Sequence, residues 1–225
     1  MDLDLSVHEI ITKCTQALKA LGFSPGLDIE NGKNIGWLAS YGLPSLEILY
    51  EEIGTDYKNR TRQRIDPNIT ENAVHFPSQS HSTFSLAQSI VDYAEIGKSV
   101  HVKHCRFPLL IFAEMSRRVH LPYGFKLEWI EKGRHCVALS KAGKSTISNP
   151  SIELTDVHDL RIISVENPII TNPLELLRKK KGANKTSVAC SRYHWDIICS
   201  TARNVLVIDS EQSYHRAGAK VDDQS

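Results

Sequence analysis

What this chain lacks narrows its class before any motif is read. No apolar stretch in its 225 residues approaches the roughly 18 that span a bilayer, so no membrane segment is expected. Net charge is almost absent. Twenty-seven basic side chains against 26 acidic leave a formal +1, a field too weak to recruit nucleic acid or an anionic membrane. Cysteine is sparse and irregular: Cys14, Cys105, Cys136, Cys190 and Cys199 are odd in number, scattered and set among apolar neighbours. That is the usage of reduced, buried thiols and not of a disulfide frame. The opening "MDLDLSVHEI" is acidic and lacks the basic-then-apolar order of a secretory leader. A cytoplasmic location is the expectation, and the sequons at Asn59, Asn68 and Asn184 then carry no meaning. Internal repeats and low-complexity segments are missing as well.

What is there reads as a globular protein, 41% hydrophobic and 24% charged. Ser6 and Glu9 form a capping box, and Val7, Ile10, Ile11, Cys14, Leu18 and Leu21 then recur on one helical face, with Gly22 as the stop. His8 falls off that stripe. A second helix is predicted from Asp28 to Tyr41, ending at Gly42. Its interior Gly32 and Gly36 cost about 1 kcal/mol each against alanine. Being four apart they share a face, which implies close approach by a partner helix or a ligand. A third helix opens at Pro44, with Leu46, Leu49, Tyr50 and Ile53 before Gly54. Residues 55–82 are polar without helix or strand periodicity, and Arg60, Arg62 and Arg64 alternate inside them. A segment so long suggests a lid, an arm or a subunit contact. A fourth helix follows over 84–96, and a fifth opens at Pro108.

From Phe125 the period changes to two. Phe125, Leu127 and Trp129 alternate with Lys126 and Glu128. Further strands are predicted near 135–140, 144–148, 152–155, 160–165 and in "TSVACSRYH", separated by turns at Lys132-Gly133, Ala142-Gly143 and Asn149-Pro150. Trp195, Ile198, Cys199 and Ala202 suit the buried face of a last helix. The fold class is therefore α+β. It reads as one domain over 1–225: a mainly helical part over 1–120, a mainly strand part over 121–192, and a helix plus ordered tail over 193–225.

Three motifs invite chemistry. "HVKHC" sets His101 and His104 beside Cys105, with His75, His81, His120 and His135 as further donors. On a strand His101 and Lys103 face one way and His104 the other, so the histidines cannot share a metal, and none is assigned. "ALSKAGKST" nearly matches a phosphate-cradling loop, but Ala138 stands where its first glycine belongs, and a β-branched stretch follows where a helix is needed. A turn between strands fits better. "RKKKGANK", Arg178 to Lys185, reads as a solvated loop.

"LGFSPGLDIENGKNIGWLASYGLP" and "SEQSYHRAGAKVDD" together resemble a bacterial family known only as a domain of unknown function. The first matches at Gly22, Gly26, Trp37, Leu38, Gly42, Leu43 and Pro44, the second at Ser210, Glu211, Ser213, Ala217, Gly218 and Ala219. Tyr214 departs from the pattern, and Arg216 takes the place of a glycine. The resemblance implies no activity, cofactor or catalytic residue. Chemically, the tail offers an anion the hydroxyls of Ser210 and Ser213, the forked Arg216 guanidinium and a close backbone approach at Gly218. Glu211, His215 and Ser213 are the catalytic candidates. With Trp37 they outline a site for a small anionic metabolite, in an enzyme of small-carboxylate or amino-acid-derived metabolism. The alternative is a non-catalytic ligand-binding or assembly subunit, its partners a metabolic enzyme or a second copy of itself.

Overall fold

Ser6 starts the first helix as its capping box predicts: its hydroxyl accepts the Glu9 amide at 3.1 Å. In the computed structural model, which describes residues 2–55, 66–77, 82–148, 157–174 and 187–205, α1 then runs Val7–Ala20 with Ile10, Cys14, Ala17 and Leu18 buried. Gly22, at φ 90°, reverses the chain. Helix α2 (Leu27–Ser40) follows, and Gly42 leaves it at φ 68°. The two interior glycines face α1. A methyl carbon at Gly32 would lie 2.1 Å from Thr15 Oγ1, and one at Gly36 2.3 Å from Ile11 Cγ1. The close approach is therefore made by a helix, and that face of α2 has no room for a ligand.

The remaining helices among the described residues are α3 (Leu46–Ile53), α4 (Thr83–Glu95), α5 (Pro108–Arg117) and α6 (Arg192–Arg203). Helix α5 is buried at every position from Pro108 to Ser116, as a segment apolar all round requires. It packs between α2 and α4 and against the sheet. Its one acid, Glu114, accepts Asn34 Nδ2 at 2.9 Å and pairs with Arg118 at 3.0 Å. Arg117 reaches back to Glu30 at 2.6 Å. These contacts tie α2 to α5.

The larger sheet has the order β2 (Asn68–Ile69), β3 (Ala73–Phe76), β4 (Ser99–Cys105), β8 (Val157–Val165), β5 (Gly124–Glu131), β6 (Arg134–Lys141), β7 (Lys144–Ser148). Every neighbouring pair in it is antiparallel except β3 and β4, which run parallel on either side of α4. Phe125, Leu127 and Trp129 are buried, as the alternation predicts. The hairpin turns pass through Lys132-Gly133 (φ 48° and 74°) and Ala142-Gly143 (φ 47° and 75°), the left-handed pairs that match strand twist. The near-match to a phosphate loop is thus a hairpin. A separate two-stranded sheet pairs β1 (Asp2–Ser6) with β9 (Ser187–Ser191) antiparallel.

Two expectations need correcting, and one strand was unforeseen. Residues 55–82 are not structureless throughout, since they contribute β2 and the parallel strand β3. The opening residues form β1, which no periodicity announced. The strand read through His194 stops at Ser191, where α6 begins. Residues 152–155, the 178–185 basic run, Arg60, Arg62 and Arg64, and everything after Val205 lie outside the described residues. All five cysteines are free, four of them buried. No described helix is long and apolar enough to cross a membrane.

Candidate functional site

Parallel strands followed by helices place ligands outside their carboxyl ends, where the chain opens before each helix begins. Here β3 ends at Phe76 and Pro77, and β4 runs beside it. A cavity of about 510 Å³ sits there, lined by His75, Phe76, Pro77, His101, Lys103 and Asp159 among others. That size suits a small ligand.

Register builds the site. His75 pairs with His101 across the parallel strands, and neighbouring strands are separated by about 4.8 Å. Their rings accordingly stack, centroids 4.8 Å apart and 14° from coplanar. The core-facing neighbours Val74, Phe76, Val100 and Val102 are buried, so alternation turns both histidines and Lys103 to the opposite face. Ser99 Oγ lies 3.0 Å from His101 Nε2 and accepts Arg161 Nε at 3.1 Å. The Ser99 hydroxyl thus links the Arg161 guanidinium to the His101 ring and holds that ring in place. Burial first, then His75 and Arg161, hold the His101 imidazole below its ordinary value of 6.5.

Asp159 reaches the cavity through an irregularity. Glu128 of β5 faces Arg161 while Ile130 faces His158, so β8 carries one extra residue. Asp159 lies in that bulge at φ 53°. Left-handed backbone costs a non-glycine residue about 1 kcal/mol or more, least for Asp and Asn. A bulge of this kind re-aims a side chain, here an acid opposite Lys103.

Of the histidines grouped by the sequence, His101 and His104 part company, each meeting a ring on a neighbouring strand. His101 stacks on His75, whereas His104 meets His158 edge-on at 4.6 Å. Among the described residues no three His, Cys, Asp or Glu side chains converge as a metal would need. Trp37 is half-buried, packed at 5.4 Å edge-on to Phe112 and 4.6 Å from Tyr41. Ser210, Glu211, Ser213, His215, Arg216 and Gly218 lie outside the described residues. Sequence reading placed His101 and Lys103 on one face but assigned no site to them. The partnership with His75 needed the parallel register, and Asp159 needed the bulge.

Solved dehydrogenases share this fold. The dehydrogenase from Sinorhizobium meliloti has a TM-score of 0.64 at 8% identity, over 90% of this chain and 100% of that one. Malate dehydrogenase from Pyrococcus horikoshii OT3 gives 0.56 at 8% identity, over 91% and 96%. At such identity the likeness shows architecture alone. No curated protein matches the sequence. Residues 5–78, which include the Gly22–Pro44 motif, match the model of a family described as a protein of unknown function (DUF3726).

Proposed function

We propose that this chain binds a small anionic metabolite in the β3–β4 cavity, a carboxylate that also bears a hydroxyl or amino group. One observation carries the reading: His75, His101 and Lys103 line the same cavity as a bulge-presented Asp159. Lys103 takes the carboxylate with the imidazoles beside it, and Asp159 accepts a hydrogen bond from the second group. Two such charge-assisted contacts, at about 1.5–3 kcal/mol each, support an affinity on the order of millimolar or somewhat tighter. His101, neutral at pH 7 and fixed by Ser99, supplies an acid–base group at the same place. A fold shared with dehydrogenases supports a small-molecule role without naming the substrate. The Ser210–Gly218 motif is proposed as a second source of anion contacts, through Arg216 above all.

Thermal shift with L-malate, glycine and inorganic phosphate tests this. Malate should raise the melting temperature of the wild type, and Lys103→Ala and His101→Ala should abolish the rise. An undiminished shift in Lys103→Ala, or none in the wild type, contradicts the proposal. Arg216→Ala reports on the tail separately.

A further inference from the structure

A second cavity lies where the Gly-Leu-Pro turn meets the small sheet. It measures about 240 Å³ and is lined by Gly42, Leu43, Pro44, Ser45, Glu47, Val188 and Cys190 among others. One wall is thus the turn motif within the family match, and the other is β9, over a hundred residues later in the chain. Gly42 sits at φ 68°, with nothing within 4 Å of where a side chain would begin. The turn therefore leaves space and does not fill it.

Among the described residues the walls are apolar apart from Ser45 and Glu47, and none of those lining the cavity is Lys, Arg or His. Glu47 Oε2 accepts the Ser45 amide at 2.9 Å, which fixes the carboxylate in the first turn of α3. Its other oxygen, Oε1, lies 3.8 Å from His194 Nδ1, too far for a hydrogen bond. That nitrogen is itself buried with no hydrogen-bond partner. The helix start contributes about half a positive charge, against a full negative charge on Glu47. Burial, then Glu47, Asp2 and Asp4, push the Cys190 thiol up to about 11.

We infer that this cavity is a separate binding site for a small aliphatic amine, its ammonium on Glu47 Oε1 and its chain against Leu43, Pro44 and Val188. An ammonium would pair with the partly exposed Glu47 carboxylate, and the apolar body would occupy the space that the Gly42 turn leaves open. The site is independent of the β3–β4 cavity.

n-Butylammonium is the direct probe, with butyrate as the same body of opposite charge. Titration of ¹⁵N-labelled protein should shift the Ser45, Glu47 and Cys190 amides saturably with butylammonium and leave them unmoved with butyrate. Glu47→Gln keeps an acceptor for the Ser45 amide and removes the charge, and should weaken butylammonium at least tenfold. Val188→Phe, which fills the cavity from β9, should abolish binding. Both variants should keep the wild-type malate response, separating this site from the first. Unsaturable shifts, equal binding of butyrate, or full affinity in both variants would overturn the inference.

Discussion

Glu30 shows how a single carboxylate is held charged in this fold. Burial raises its affinity for a proton, but hydrogen bonds from Lys33 and Arg117 outweigh that and keep it below its ordinary value of 4.5. A carboxyl depressed on folding contributes stability above its unfolded value and loses it as pH falls through the folded one. The acid limb of the stability curve should therefore be shallower in Glu30→Gln, by urea titration between pH 6 and pH 3. Glu114 is more deeply placed. Glu114→Ala leaves Asn34, Arg117 and Arg118 without their shared acceptor. We expect a loss of about 2 kcal/mol, less than the roughly 3–5 kcal/mol of a fully buried pair, because both arginines remain 21% exposed. His101 has the opposite chemistry. Its folded value lies below 6.5, so the neutral ring favours folding above that pH and protonation opposes it below. In the proposed site an anion would reverse that preference, facing His75, His101 and Lys103 with Asp159 opposed and Arg161 close to His101. Malate affinity should rise as pH falls from 8 to 6, and His101→Gln should flatten the rise.

At the level of elements, helices and hairpins were legible because their signals are local. The Ser6–Glu9 box, the stripe from Ile10 to Leu18 and the Lys132-Gly133 and Ala142-Gly143 turns each lie within one turn or one hairpin of what they specify. Strands β1 and β3 were not legible. Asp2–Ser6 finds its partner in Ser187–Ser191, and Ala73–Phe76 shows only two alternations inside a polar stretch. The candidate site inherits that difficulty, since His75 meets His101 only through β3. The α2 glycines were legible as a close approach but not as to the approaching partner. Gly36→Ala gains about 1 kcal/mol of helix propensity but drives a methyl into Ile11 at 2.3 Å. Overpacking costs about 1–3 kcal/mol, so net destabilisation is expected by chemical denaturation. Ala142→Asn should do the reverse, raising stability by about 0.5 kcal/mol, because asparagine tolerates the left-handed backbone at φ 47°.

For the molecule as a whole, helix α5 ties the parts together. It is enclosed by α2, α4 and the sheet, and β4 leads into it through Arg106 and Phe107. The same face of β3 and β4 that avoids the helices carries the stacked imidazoles, so the packing that builds the core also selects the residues lining the cavity. Histidine-selective NMR during a malate titration tests this most directly. The imidazole signals of His75 and His101 should move together and saturate, while those of His104 and His158 stay in place. Four rings moving alike, or a still His75–His101 pair, would contradict the assignment of the β3–β4 cavity as the anion site.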